Sequence, residues 1–291
     1  MRLAIFDDHR LGAVVDGGLV DVTSALPWAH DPDPLTAGWW RRLCRDFPTV
    51  RDQLGRTARE GPVLPLDRVR LAAPALGPSK IIAAASNYAE HVAEMHGVQE
   101  RTLGGVEAWM MSFDVFLKAP SSIVGPGADI VLPADVLAAG HEIHHESELV
   151  IVIGAGGKDI SPERALDHVF GYTIGLDITV RSAADRSRRK SYDTFSPIGP
   201  WVTTPDDGVD PTDLTIDLTV NGTRRQHVNT GDMLMGVARI IAYASSVMTL
   251  LPGDLIFTGA PPGVGPITEG DDLRTTIGGL GELRTRVRRA A

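Results

Sequence analysis

The stretch HHESELVIVIG, residues 144–154, constrains the fold more than any other. Leu149, Val150, Ile151, Val152 and Ile153 form an unbroken apolar run rich in β-branched residues, which favour the pleated surface of a sheet. The run predicts a buried strand over 147–153. Two glutamates lead into it. Side chains alternate faces along a strand, so Glu146 and Glu148 share a face that Val150 and Val152 continue. Two carboxylates about 4 Å apart repel by about 4 kcal/mol at an effective dielectric of 20. Holding both on an inward face requires a cation or a proton between them. A hard divalent ion such as magnesium, manganese or calcium suits oxygen ligands. A third oxygen is expected from an adjacent strand. Asp177 is the candidate, because it lies in GYTIGLDITV, a segment otherwise free of charge. The plain alternative is a pair of solvated glutamates at a strand entrance, which the following apolar run disfavours.

Two other readings compete over the same region. His141-Glu142-Ile143-His144-His145 contains H-E-x-x-H, a zinc-peptidase pattern that works only on a helix, where the two histidines share a face. Gly140 precedes it and the β-branched run follows at once, leaving room for about one helical turn, which has little stability. Gly154-Ala155-Gly156-Gly157 imitates a dinucleotide loop, but Asp159 stands where the third glycine belongs. These glycines are read as a hairpin turn.

The chain has 291 residues, a net charge of −9 and one cysteine, Cys44. This length suits one large domain, or a large and a small one. An acidic chain repels phosphate backbones, so nucleic acid is not an expected partner. The basic cluster from Arg181 to Lys190 lacks the interleaved aromatics of a nucleic-acid surface. A single cysteine excludes an intrachain disulfide. The N-terminus shows no secretory pattern and no apolar run reaches the ~20 residues of a membrane helix. A cytoplasmic protein with no membrane partner is expected.

Along the chain, residues 1–24 read as short strands. Residues 36–60 read as helix with a break at Pro48, and the segment to residue 80 as a packed, extended connection. A boundary near 76 gives a small N-terminal domain, 1–76, and a larger one, 77–291. Lys80–Ala85 is a strand candidate. Asn87 with Glu90 forms a capping box for a helix over 88–97 ending at Gly97. Residues 113–118, 170–180 and 213–221 are strands, with Asn221-Gly222 a hairpin turn. Residues 231–250 form a helix and 255–258 a strand. Many strands and few helices predict an α+β, mainly β architecture.

These residues resemble the fumarylacetoacetate hydrolase family. SNYAEHVAEM, FLKAPSSIVGPG, HHESELVIVIG, GYTIGLDITVR, RKSYDTFSPIGP, NTGDM and LLPGDLIFTGAPPGVG occur in the family's order, over roughly residues 78–290. The resemblance implies a mixed β-roll or sandwich with flanking helices, a small β-rich N-terminal domain and a homodimer. It assigns Glu146, Glu148 and Asp177 as ligands to magnesium or manganese, with calcium a substitute in a crystal. The implied substrate is a small 2-oxo acid.

His91 and Glu94 sit three apart on the expected helix and face the same way. Spacing alone describes a surface pair equally well. The resemblance makes them the base that activates water in hydrolytic members. Lys190, Arg181 and Lys118 are the expected cations around an anionic substrate, with Lys190 first. Asn87 and Tyr88 are expected to shape the pocket, and Thr258 and Gly259 to approach the substrate carboxylate. Gly263 and Gly265 are read as turn residues. Two departures concern substrate rather than metal: Ala184 stands where the family often has glutamine, and Ala260 where it has threonine.

The expected activity is metal-dependent hydrolysis of a C–C bond in a β-diketo acid, an acylpyruvate or fumarylpyruvate from aromatic breakdown. Isomerisation, tautomerisation or decarboxylation of a 2-oxo acid at the same site is the nearest rival. A zinc peptidase and a non-catalytic binding protein are rivals of other classes.

Overall fold

The structure is a computed structural model and describes residues 1–106 and 111–290. In chain order the strands are β1 (Arg2–Phe6), β2 (Arg10–Val15), β3 (Gly18–Asp21), β4 (Val63–Leu64), β5 (Leu71–Ala72), β6 (Ile81–Ala85), β7 (Asp114–Lys118), β8 (Ile123–Val124), β9 (Ile130–Leu132) and β10 (Ile143–His145). They continue with β11 (Ser147–Ile153), β12 (Val169–Leu176), β13 (Thr179–Val180), β14 (Ser196–Thr203), β15 (Thr215–Val220), β16 (Thr223–Asn229), β17 (Leu255–Phe257), β18 (Gly265–Pro266), β19 (Asp272–Ile277) and β20 (Gly281–Arg289). The helices are α1 (Gly38–Glu60), α2 (Ala89–Leu103), α3 (Ala134–Ala138), α4 (Arg186–Lys190) and α5 (Val237–Val247). The α+β, mainly β expectation holds, as open mixed sheets.

The large sheet runs β4-β3-β2-β1-β14-β12-β11-β17-β6-β7, with β5 on β1 and β8 on β14. A second sheet runs β16-β15-β19-β20-β9, and a small one β13-β10-β18. Through the β1–β14 pairing the N-terminal strands extend the large sheet, and β4 and β5 pair the connection before residue 76 with β3 and β1; it is packed only at Pro74, Ala75 and Leu76, while Val63 and Leu66 are exposed, a correction to the packed connection expected.

β11 lies inside the large sheet and is buried on both faces, which explains its continuous apolar run. Leu149, Ile151 and Ile153 pack with Ile216, Leu218 and Leu273 of the second sheet and with Ile240 and Ile241 of α5. Val150 and Val152 pack on the opposite side with Trp40, Leu43 and Phe47 of α1. All five residues of the run have no exposed surface, and burying each such side chain contributes about 1.5–3 kcal/mol.

Several local expectations are corrected. α1 runs unbroken through Pro48, burying Trp39, Trp40, Leu43, Cys44, Phe47, Val50 and Leu54 on one stripe. Tertiary burial of that stripe outweighs the cost of an interior proline. α2 continues past Gly97 to Leu103, and its N-cap is Tyr88 without a side-chain cap. α5 begins only at Val237. The glycines after β11 do not make a tight turn. β11 and β12 do pair as antiparallel neighbours, but the connection spans 154–168. Gly154 lies against the Cys44 carbonyl of α1 and Gly156 against the Leu250 carbonyl, positions where a β-carbon would crowd backbone. The hairpin at Asn221-Gly222 forms as expected, with both residues at positive φ.

Candidate metal and active site

The register of β11 against β12 builds the acidic cluster. Glu148 lies opposite Gly175 and Ser147 opposite Leu176, so the chain leaves β12 at Asp177 beside Glu146. The Asp177 amide donates to the Glu146 carbonyl at 2.8 Å. Glu146, Glu148 and Asp177 are all buried, and one oxygen from each lies within 4.8 Å of the others. The face they share with Val150 turns apolar at the Phe257 ring. A β-carbon on Gly175 would come within 2.5 Å of both Phe257 and Val150. Lys118 caps that boundary, its Nζ lying 5.0 Å from the Phe257 ring centroid.

Three cations neutralise the carboxylates. Lys190 Nζ donates to Glu146 Oε2 at 2.7 Å, Asp177 Oδ2 at 2.5 Å and Thr179 Oγ1 at 2.7 Å. Lys118 Nζ donates to Asp177 Oδ1 at 2.6 Å and the Phe195 carbonyl at 2.9 Å. Arg181 Nη2 donates to Glu146 Oε1 at 2.5 Å. Glu148 receives the Gly259 amide at 2.6 Å.

The two glutamates diverge electrostatically. Burial acts to raise Glu146, but Lys190 and Arg181 outweigh it and hold the carboxyl well below the usual range. Burial, reinforced by Asp177, pushes Glu148 well above that range despite Lys190. Burial also lowers the Lys118 ammonium against the pull of Asp177. Three converging buried carboxylates are a hard-oxygen donor set that fits a divalent ion such as magnesium or manganese.

His91 and Glu94 meet as the spacing predicts, with Nδ1 3.4 Å from Glu94 Oε2. The Gly263 amide fixes the carboxylate, donating at 3.0 Å to Oε2 and 3.2 Å to Oε1. Gly263 therefore does more than permit a turn. It sits at φ 88°, and a β-carbon there would meet the Arg225 carbonyl at 2.0 Å. His91 lines a cavity of about 50 Å³ together with Glu146, Arg181, Arg186, Arg189 and Lys190. Ala260 borders the same cavity, whereas Ala184 lines a separate one of about 320 Å³ behind α4.

Other expected residues hold the frame. Asn87 is buried and ties three segments together: Nδ2 donates to the Thr258 carbonyl at 2.7 Å and the Met235 carbonyl at 3.0 Å, and Oδ1 accepts from the Met235 amide at 2.7 Å. This is why it forms no capping box. Thr258 Oγ1 donates to the Leu149 carbonyl at 3.0 Å rather than facing the cavity. Gly259, at φ 101°, has no room for a β-carbon, which would lie 2.7 Å from Asn87 Cβ. Tyr88 is buried and lines a neighbouring cavity with Glu90, His227 and Asp232. Burial and then the Glu148 charge raise its phenol.

Sequence reasoning missed Gln226. Gln226 Oε1 accepts the Ser147 amide at 2.9 Å, and Nε2 donates to the Pro261 carbonyl at 2.9 Å. The β15–β16 alternation carries Gln226 inward, but nothing local marks it as polar support for β11. The H-E-x-x-H pattern lies partly on strand β10, with His141 exposed outside it, so its histidines do not share a helical face.

A buried carboxylate triad at the heart of an open mixed sheet, charge-matched and bordered by a His–Glu pair, defines a divalent-metal site beside a polar cavity. The model of the fumarylacetoacetate (FAA) hydrolase C-terminal family matches residues 80–288, and the chain belongs to that family. Maleylpyruvate hydrolase of Aquipseudomonas alcaligenes is 35% identical over 291 residues, 99% of each chain. The crystal structure of maleylpyruvate hydrolase from Sphingobium sp. SYK-6 in complex with manganese(II) and pyruvate is similar at TM-score 0.85 and 39% identity, covering 100% of both chains. That of 2-hydroxyhepta-2,4-diene-1,7-dioate isomerase from Mycobacterium marinum is similar at TM-score 0.73 and 35% identity, covering 100% of this chain and 99% of the other.

Proposed function

We propose that this chain is a divalent-metal-dependent hydrolase that cleaves a C–C bond in a β-diketo acid of the acylpyruvate or fumarylpyruvate type. The observation that carries the reading is His91, which lines the same cavity as Glu146 and Lys190 and is met from behind by Glu94, itself held by the Gly263 amide. Likeness to maleylpyruvate hydrolases over the full chain supports it.

Glu146, Glu148 and Asp177 would hold magnesium or manganese, which supplies Lewis acidity towards a 2-oxo carboxylate. Glu94 accepts from His91 Nδ1, which leaves Nε2 to take a proton from water as it attacks the distal carbonyl; the adduct then collapses to a carboxylic acid, the C–C bond breaks with its electron pair leaving on the 2-oxo acid fragment as an enolate, and the proton held by His91 returns to that carbon. Arg181 and Lys190 offset the charge of the acids and of the substrate. Lys118 holds Asp177, Gly259 holds Glu148, and Asn87 and Thr258 hold the Gly259 turn in place.

Isomerisation of a 2-hydroxy-diene acid is the second reading, favoured by likeness to the Mycobacterium marinum isomerase. In it His91 would take a proton from carbon rather than from water. A homodimer, a cytoplasmic location and a division into a small domain at 1–76 and a catalytic domain at 77–291 accompany the proposal.

The test is to strip the protein with a chelator, restore magnesium, manganese or zinc, and follow the ultraviolet enol absorbance of acylpyruvates and fumarylpyruvate with product identification. Cleavage restored by magnesium or manganese supports the hydrolase. Absorbance lost without cleavage supports the isomerase reading, and zinc-only activity overturns the metal assignment.

A further inference from the structure

A second cavity lies apart from the one that holds His91 and Glu146. It measures about 480 Å³, and among the described residues the two share no lining side chain. Tyr88, Ala89 and Glu90 line it at the start of α2, His227 and Val228 line it from β16, and Asp232 and Pro262 from the neighbouring loops. Its size is that of a small-molecule site.

The polar groups of this cavity are unmatched. Tyr88 is 2% exposed, yet its hydroxyl has no hydrogen-bond partner. A buried hydroxyl left so costs about 1–3 kcal/mol, which a ligand in contact with it would recover. Glu90 and Asp232 line the cavity, and among the described residues neither carboxylate has an ion pair or hydrogen bond. No lysine or arginine lines it. His227 and Asn229 are engaged elsewhere. His227 Nδ1 lies 2.8 Å from Asp217 Oδ1, Asn229 Nδ2 donates to Asp213 Oδ1 at 2.8 Å, and Asn229 Oδ1 accepts the Gly231 amide at 2.8 Å.

The balance of charge is negative. The start of α2 contributes a partial positive charge of about 0.5, against two full carboxylates. Burial first, then the charges of Glu148 and Asp232, raise the Tyr88 phenol. It therefore stays protonated and offers its oxygen in a field that favours cations. A bare metal ion is a poor fit. The oxygens of Glu146, Glu148 and Asp177 converge within 4.8 Å, whereas the ligand atoms of Glu90, Asp232 and His227 do not. Carboxylates that do not converge, with the apolar surface of Ala89, Val228 and Pro262 beside them, suit an extended cation with a hydrocarbon stem.

We propose that this cavity binds an aliphatic diammonium ion, one ammonium group meeting Glu90 and the other Asp232, with the Tyr88 hydroxyl oxygen accepting from one of them. Because the cavity is separate from the catalytic one, its ligand binds alongside the 2-oxo acid rather than in its place.

The test titrates 1,4-diaminobutane into the manganese-loaded protein by calorimetry. The comparison ligands are 1-aminobutane, which lacks one charge, and 1,4-butanediol, which lacks both. The wild type is expected to bind the diamine at least tenfold tighter than either. Glu90→Gln and Asp232→Asn, both at exposed positions, are each expected to weaken it about tenfold, the size of one charge-assisted contact. Tyr88→Phe is expected to weaken it at least threefold; should that variant fail to fold, the two exposed positions decide the matter. Glu60→Gln removes the same charge from the exposed end of α1 and is expected to leave the affinity within twofold. An equal loss there would reduce the effect to general attraction by a chain of net charge −9 and overturn the proposal. Saturating pyruvate is expected to leave the diamine affinity within twofold, and competition between the two would overturn the proposal by moving the diamine to the catalytic cavity. So would equally tight binding of 1-aminobutane or 1,4-butanediol, displacement of the diamine by equimolar magnesium, or no binding of the diamine at all.

Discussion

His91 and Glu148 answer for different parts of the site, and substitution should separate them. Glu148→Ala removes one oxygen of the buried triad and is expected to weaken manganese binding by at least ~100-fold, since even groups that only support a ligand are worth 10–100-fold. His91→Ala should leave that affinity within a few-fold and lower kcat by roughly 10²–10⁴, the usual span for a lost general base. Calorimetry and steady-state rates on the same two variants check both outcomes. Equal loss of metal binding in the two would remove His91 from the role given to it. The pH response of the metal-free fold belongs at this scale too. Burial lowers the His144 and His145 rings to about 4 from an ordinary 6.5, assisted by Arg181 at the first and Arg225 at the second. Because the folded state resists protonating them, their contribution is present above pH 6.5 and lost as pH falls towards 4. The loss is on the order of 2–3 kcal/mol per ring. Urea midpoints between pH 7 and pH 4 should fall accordingly, and less steeply in His145→Gln.

Among the elements, β11 is the one on which the rest is assembled. Ile151 is completely buried between β12, β17 and the second sheet, so Ile151→Ala is expected to cost about 2–5 kcal/mol, read from denaturant unfolding. How much of the architecture can be read from the chain depends on how local its cause is. Glu146 and Glu148 were legible because period-two alternation put both on one buried face, and their repulsion demanded a third partner and a cation. Asn221-Gly222 was legible because a two-residue turn carries its own backbone requirement. Pro48 misled because the local penalty is real and is outweighed by α1 packing on β11 and β12. Asn87 misled for the same reason: its side chain takes partners at Met235 and Thr258, 148 and 171 residues away. Gly263 was legible only as a turn residue, because its hold on Glu94 runs through a backbone amide that carries no side-chain signal.

At the level of the whole molecule, charge balance at the triad governs what the site will accept. Glu146, Glu148 and Asp177 are met by Lys118, Lys190 and Arg181, so with every carboxylate ionised the cluster is close to neutral before any ion arrives. A dication therefore brings an excess of two positive charges into a buried place, where uncompensated charge is expensive. Metal and anion should consequently be thermodynamically linked. Saturating 2-oxoglutarate is expected to tighten manganese binding, and manganese to tighten 2-oxoglutarate binding by the same factor, because such coupling is reciprocal. Titrations in both orders check the equality. The lysines and the arginine act in this sense as a threshold: they make the site reluctant to hold a lone cation, and ready to hold one that comes with its substrate.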